Sequence, residues 1–277
     1  MTRAVHVLNV GVTAVFAFVC RPLEALDPLW ALAAISLATG VLMVWVFGKV
    51  SNQTAIREIR DRLRGHLLGV RLYRHDVGVT LRLQGLIFRD TGAYLKLALV
   101  PVLVLVVPVV FIMAQLDLRL AVRPLAEGES MVVTALVRDA AAFDGPIIAL
   151  AEQGLAIETP AIRVASTREV AWRVRASVPG RHALTIRIGD DTVETTVAVQ
   201  PGWSAVPRRR SGRGVLDLLV SPGAPPIPAG SVVEAIELGY PALGLRLFGW
   251  DVHWLAGFFL LSLVSGYALK GPLRVEL

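Results

Sequence analysis

Three long apolar runs organise the pattern of hydrophobic and polar positions along this chain, at residues 29–48, 97–116 and 252–269. None of them contains an Asp, Glu, Lys or Arg residue. A helix needs about 20 residues to cross a hydrocarbon core of roughly 30 Å, and each run approaches that length. The pattern therefore predicts three core membrane spans, at residues 29–48, 97–116 and 251–270.

A different periodicity fills the interval between the first two runs, residues 49–96. Its apolar residues recur at intervals of three and four, which is typical of one face of a helix. A polar interruption divides them into two stripes: Ile56, Ile59, Leu63, Leu67 and Val70, then Val79, Leu83, Leu86 and Ile87. Two helices joined by a short turn pack antiparallel on such stripes, so the segment is predicted to be a coiled-coil-like helical hairpin.

The hairpin segment is also basic, with ten Lys and Arg residues against four Asp and Glu residues. Short basic loops stay in the cytoplasm. We therefore expect the hairpin and the tail at residues 271–277 to be cytosolic, and residues 117–250 to be translocated. This topology predicts a multi-pass protein of a bacterial-type inner (cytoplasmic) membrane, with membrane lipids as partners and a cytoplasmic C-terminus.

Two interpretations of the hairpin stay open. It is either a solvated linker between two spans or a basic, partly apolar arm that meets a polypeptide, ribosomal RNA or anionic lipid. The mean hydropathy of +0.61 suits a membrane protein, and the net charge of +6 is largely explained by this segment. No nucleic-acid module is recognisable, and no DNA partner is expected.

The N-terminal residues 1–28 contain a shorter apolar stretch at residues 4–20. It is compatible with a signal sequence, a short extra span or a helix at the outer interface. An uncleaved helix is favoured, and an interfacial or re-entrant position is preferred to a full span because the stretch is short and carries His6 and Asn9.

Alternating apolar and polar positions follow the second run and predict half-buried strands at residues 129–139, 169–177, 181–188 and 191–199. Turn chemistry separates the last three, which predicts an antiparallel meander. Residues 147–158 are expected to add one or two strands. Residues 117–200 are thus predicted to form an extracytoplasmic, all-β, sandwich-like domain of the immunoglobulin type, held by its own core because Cys20 is the single cysteine.

Residues 201–250 are predicted to be a linker rich in Pro and Gly, followed by a returning strand at residues 232–238. The linker carries an arginine run, Arg208 to Arg210, and Arg213. Such a run is typical of a solvated segment, and contact with lipid phosphates is the alternative.

Enzyme signatures are absent from the sequence. The five histidines lack metal-ligand spacing, and there is no nucleophile elbow, phosphate loop or dinucleotide fingerprint. We therefore expect a protein that is not an enzyme and uses no cofactor or metal.

The polar residues within the apolar runs suggest helix contacts. Ser36 with Gly40, and Ser262 with Gly266, are small residues four apart, a spacing that favours close helix packing. Gln115 and Tyr267 are candidates to line a hydrated groove between the helices, because a polar side chain in lipid turns towards protein or water.

The order of these parts resembles the YidC-like insertase superfamily, and most closely its archaeal members and the insertase-like subunit of the endoplasmic-reticulum membrane complex. The similarity is carried by TGVLMVWVFGKVSNQ (39–53), LKLALVPVLVLVVPVVFIMAQL (95–116) and HWLAGFFLLSLVSGYALKGPLRVEL (253–277), which with the hairpin cover about half of the chain. The chain differs from bacterial members in having no arginine in its first span and in carrying a β-rich insertion before its last span.

The resemblance implies an α-helical membrane protein of three core spans, a cytosolic hairpin and an N-terminal apolar helix, with the β-domain inserted. It also implies an insertase-like chaperone for hydrophobic client segments, with the ribosome as an additional candidate partner. The expected groove residues are Ser36, Thr39, Gln115, Ser262 and Tyr267, and the expected client-capturing residues are Arg57, Arg60, Arg64 and Arg71. The alternative is an envelope adaptor or complex subunit whose β-domain binds another extracytoplasmic protein.

Overall fold

The computed structural model describes residues 2–212, 222–228, 230–247 and 249–269. Within these ranges the chain forms five α-helices and eleven β-strands. It divides into two compact units, one made of Met1–Leu32 with Val110–Trp254 and the other of Ala33–Val109 with Leu255–Leu277. The predicted tail at residues 271–277 and Arg213 of the predicted linker lie outside the described residues.

Helix α1 (Thr2–Cys20) forms where the N-terminal apolar stretch predicts a helix, and a 3-10 turn, Arg21–Leu23, follows it. Helix α2 (Pro28–Val50) begins at a proline, which is favourable at this position because its missing N–H has no partner in a helix anyway. The Asp27 carboxylate caps the same end by accepting a hydrogen bond from the Leu29 N–H at 2.9 Å.

Helix α3 (Gln53–Leu72) and helix α4 (Val77–Leu120) form the predicted pair, joined by a short turn at residues 73–76. Asn52 caps the start of α3 by accepting from the Ala55 N–H at 3.0 Å, and Asp76, in the turn, caps the start of α4 by accepting from the Val79 N–H at 3.0 Å. α4 continues without a break past Pro101 and Pro108, so one helix of 44 residues contains both the second hairpin arm and the second apolar run.

Two of these helices, α2 and α4, are long and apolar enough to cross a bilayer, judged by length and composition. The third apolar helix, α5 (Trp254–Leu269), has 16 residues within the described part of the chain. That is short of the roughly 20 residues needed for a full crossing. The described residues therefore contain two helices of spanning length, and the third core span stays a prediction.

The β-region consists of antiparallel sheets, as the alternation predicts. The strands are β1 (Ser130–Val137), β2 (Ile147–Ala151), β3 (Leu155–Ile157), β4 (Ile162–Val164), β5 (Glu169–Ala176), β6 (Gly180–Ile188), β7 (Asp191–Val199), β8 (Arg209–Ser211), β9 (Val233–Leu238), β10 (Leu245–Leu247) and β11 (Trp250–Val252). A six-stranded sheet has the order β3-β5-β1-β9-β8, with β4 also pairing β5, and a three-stranded sheet has the order β2-β6-β7. β10 and β11 form a separate two-stranded sheet.

The predicted meander of β5, β6 and β7 is wrong in one pairing. β6 and β7 form the expected hairpin, but β5 does not pair with β6. Both edges of β5 are already occupied, one by β1 and the other by β3 and β4. The chain therefore leaves the six-stranded sheet after Ala176 and enters the three-stranded sheet at Gly180, whose φ of 144° suits a glycine.

One hydrophobic core joins the two sheets. Buried side chains from β1, β5 and β9 of the larger sheet and from β6 and β7 of the smaller one belong to the same cluster, including Val133, Trp172, Ile236, Ile186 and Val197. The predicted returning strand is confirmed as β9, which pairs with β1. The arginine run of the predicted linker contributes β8, which pairs with β9 at the edge of the sheet.

Candidate functional site

The four arginines expected to capture clients lie on one side of α3. Their spacing of three, four and seven residues places Arg57, Arg60, Arg64 and Arg71 within a narrow sector of the helix surface. Arg64 reaches Asp61 at 3.5 Å, an exposed pair of the kind that contributes little to stability. The structure thus groups these side chains as a basic strip.

Beside this strip, the two helices expose large apolar side chains around their connecting turn. The exposed fractions run from 52% for Tyr73 to 73% for Leu72. We call this surface the hairpin tip, and its members are Leu67, Leu68, Leu72, Tyr73, Val77 and Leu81. The sequence pattern placed Leu67 in the buried stripe, which is wrong, since it is 58% exposed. Leu68 and Leu72 were missed because they fall outside that stripe.

A buried carboxylate ties the hairpin arms together below the tip. Asp90 of α4 is 3% exposed and lies 3.2 Å from Arg89 Nη2, 3.3 Å from His66 Nε2 and 3.9 Å from Arg62 Nε. Burial by itself raises the pKa of Asp90, but the hydrogen bond and charge of Arg89 and the charge of Arg62 outweigh it, so the pKa lies below its ordinary value. This cluster holds α3 against α4 at a point beyond Ile87, where the apolar stripe of the second arm has ended.

Two of the predicted groove residues, Ser262 and Tyr267, line an apolar cavity of about 330 Å³ between α2, α4 and α5. Its walls are otherwise almost entirely apolar, with Gly40, Met43, Val44, Phe47, Leu105, Phe259, Leu263 and Gly266. The cavity suits an apolar side chain from a neighbouring helix better than a polar one.

The other three predicted groove residues lie elsewhere. Thr39 donates to the Ile35 carbonyl of its own helix at 2.7 Å. Ser36 is fully buried, and its hydroxyl has no partner among the described residues. Gln115 belongs to the other compact unit, where its amide donates to the Thr13 hydroxyl at 2.8 Å. Of the five residues, Ser262 and Tyr267 are the two that line this cavity.

Gln115 instead accepts hydrogen bonds from an arginine that the sequence pattern did not single out. Arg119 of α4 is 2% exposed, and its Nη1 donates to the Gln115 side-chain oxygen at 2.6 Å and backbone oxygen at 3.1 Å. Its Nη2 donates to the Thr13 carbonyl at 3.4 Å, and its guanidinium lies 5.8 Å from the centre of the Phe16 ring. The signal available in the sequence was a basic residue three positions after the end of an apolar run.

Arg119 also borders a cavity of about 540 Å³ that lies wholly within the unit holding the β-region. Two further arginines line it, Arg181 of β6 and Arg210 of β8, together with one carboxylate, Glu194. Leu118, Val206 and Leu238 add an apolar wall. We call this the Arg119 cavity.

Metal ligation has no candidate within the described residues, where no three His, Cys, Asp or Glu side chains are grouped to hold an ion. Comparisons with protein-family models, with curated proteins and with solved structures found no match. The candidate sites are therefore defined by the geometry of this chain alone.

Proposed function

We propose that this protein is an insertase-like membrane chaperone of the YidC-like type, which assists the insertion or folding of hydrophobic segments at a bacterial-type inner membrane. The observation that carries the proposal is the hairpin tip, six exposed apolar side chains beside a strip of four arginines. A soluble surface rarely leaves so many large apolar side chains together unless it binds something apolar.

A membrane location is supported by the exposed face of α4. Along its apolar run the side chains of Leu99, Val100, Leu103, Val106 and Val107 are each about half exposed or more. A helix that is apolar and unburied in this way needs lipid around it. The basic hairpin then faces the cytosol and the β-region the opposite side.

Client capture follows from the chemistry of the tip. Leu68 and Leu72 offer an apolar contact for a hydrophobic segment, and the nearby Arg64 and Arg71 attract its acidic flank or an anionic surface such as the ribosome. Side chains on two helix ends joined by a short turn adapt to different sequences, which suits a chaperone.

Release into the bilayer needs no nucleotide or cofactor in this scheme. Transfer of an apolar helix from water to lipid is favourable by about 25 cal/mol per Å² of apolar surface. The cavity beside Ser262 and Tyr267 provides an apolar contact within the helical unit, where a client side chain rests before it moves into lipid.

Site-specific photo-crosslinking tests this proposal. A crosslinker at Leu263, a cavity residue that is 72% exposed, should capture nascent membrane proteins. Changing Leu68 and Leu72 to Asp, or Arg64 and Arg71 to Glu, should reduce that capture several-fold. Unchanged capture in both variants would overturn the role of the tip. The matched control is Leu150→Asp, which places the same charge on an exposed leucine of β2.

An adaptor function is the second candidate, and one observation favours it. β2 lies at the edge of the three-stranded sheet, and its outer face exposes Ile148 and Leu150, at 41% and 48%. Exposed apolar side chains on an edge strand are a docking surface for another strand. If Leu150→Asp abolishes recovery of a co-purifying envelope protein while no client crosslinks at Leu263, the adaptor function is correct.

A further inference from the structure

Arg119 carries a buried charge, and no carboxylate lies at ion-pair distance from it among the described residues. All its hydrogen bonds go to neutral oxygens of Gln115 and Thr13, and its Nε has no partner among the described residues. Glu24 interacts with this charge electrostatically but does not line the cavity. Burying a cation without an anionic partner is strongly unfavourable, because the charge loses its hydration and gains no opposite charge. An anion at this site would offset that cost.

The walls of the Arg119 cavity are built for such an anion. Three arginines and one glutamate line the cavity, so the balance of charge is positive. Arg210 is held in place by its Nε, which donates to the Pro225 carbonyl at 2.7 Å, and by a further hydrogen bond to the Glu194 carbonyl. Thr13, Thr195 and Thr196 also line the cavity.

The cavity also has the size and the mixed chemistry of a small-molecule site. Its volume of about 540 Å³ lies in the range of ligand pockets, and charged and polar residues line it together with the apolar residues Leu118 and Val206. A planar guanidinium matches the oxygens of a phosphate group, and arginine is favoured wherever phosphates are bound.

We propose that the Arg119 cavity binds a phosphate group, supplied either by the headgroup of an anionic phospholipid or by free inorganic phosphate. The lipid source rests on the proposed membrane location, because Arg119 follows the apolar run of α4 and lies where outer-leaflet headgroups would be. The free-anion source is independent of it. Neither source depends on the hairpin or on client binding.

The test uses the full-length protein in a neutral detergent and two probes. One is inorganic phosphate, titrated at constant ionic strength against chloride while the melting temperature is followed. The other is phosphatidylglycerol, compared with phosphatidylcholine for retention in native mass spectrometry. Arg181→Gln should weaken binding of the effective probe about tenfold, as expected for loss of one charge-assisted hydrogen bond.

Arg187→Gln is the matched control, since Arg187 is an exposed arginine on the same strand, β6, and does not line the cavity. Arg119→Gln, where it folds, should abolish the stabilisation by the probe. Stabilisation by phosphate identifies the free anion as a ligand, and selective retention of phosphatidylglycerol identifies the lipid. If neither probe binds the wild type, or if Arg187→Gln loses binding as much as Arg181→Gln, the proposal is overturned.

Discussion

A Cβ atom added to Gly40 of α2 would lie 2.5 Å from the backbone oxygen of Ser262 in α5. At this point the two helices therefore approach backbone to backbone. Ser265 strengthens the contact by donating its hydroxyl to the Leu37 carbonyl at 3.1 Å. Small residues permit such close approach in lipid, where packing rather than the hydrophobic effect holds helices together.

Gly40→Ala should therefore destabilise the helical unit. The added methyl group would clash with the Ser262 backbone oxygen and with the Ser265 side chain, so the helices would have to move apart. Overpacking of this kind lowers the free energy of unfolding by about 1–3 kcal/mol. Resistance to SDS in mixed micelles measures the loss. Gly92→Ala is the control, because nothing lies within 4 Å of a Cβ at that position of α4, so the change should leave stability equal or raise it. Equal behaviour of the two variants would contradict the close approach.

Tyr240→Phe should destabilise the β-region through a lost hydrogen bond. The Tyr240 hydroxyl accepts from the Ala198 N–H at 2.9 Å, and burial raises the pKa of this tyrosine to about 12. Without the hydroxyl, the buried N–H has no acceptor, which costs about 1–3 kcal/mol. Thermal unfolding followed by near-UV circular dichroism measures it. Tyr73→Phe, at an exposed tyrosine, should have no effect.

The ion pair of Glu129 and Arg123 should make the free energy of unfolding of the β-region decrease at low pH. Two hydrogen bonds of 2.8 Å join the side chains, and with the Ala126 N–H they lower the pKa of Glu129 to about 2. An unfolded glutamate titrates near pH 4.3, so the contribution is fully present above that value and is lost as the pH falls towards about 2.

The matching experiment compares wild type with Glu129→Gln across this interval. Both side chains are about one-third exposed, so solvent screening limits the difference at pH 7 to roughly 0.5–1 kcal/mol. The two proteins should converge in stability near pH 2. A difference that stays constant from pH 7 to pH 2 would show that the pair does not titrate as described.

The topology predicts which side of the membrane the hairpin turn faces. In a Cys20→Ser background, His75→Cys should resist an impermeant thiol reagent added to intact cells, since the proposed topology places the basic hairpin in the cytosol. Val178→Cys, at an exposed position between β5 and β6, should react. The opposite labelling pattern would reverse the orientation and remove the basis of the proposed function.

The pattern of hydrophobic and polar residues predicted those helices and strands that depend mainly on neighbouring residues in the sequence. The apolar periodicity of residues 56–70 predicted α3, and alternation predicted β1, β5, β6, β7 and β9 within one or two residues. The sequence pattern did not predict contacts between segments that are far apart in the chain. Consecutive strands often pair, which suggested β5 beside β6, but competition from β1, β3 and β4 for the edges of β5 decided otherwise.

The candidate sites show the same division. The arginine strip on α3 follows from spacing along one helix, whereas Gln115 was expected in a groove with Ser262 and instead bonds to Thr13, 102 residues away. No periodicity within one element predicts such a contact. The hairpin tip was also invisible to pattern, because Leu68 and Leu72 are exposed only by the way α3 meets α4.

The sequence by itself determined the apolar helices, the basic hairpin and the β-region, since hydrophobic periodicity and charge act over a few residues. Only the tertiary structure decided which strands share a sheet, which small residues let α2 and α5 touch, and that Arg119 lies buried beside a cavity. These features depend on packing between residues that are far apart in the sequence. The partner of a buried side chain is therefore set by the complete fold and not by its neighbours in the chain.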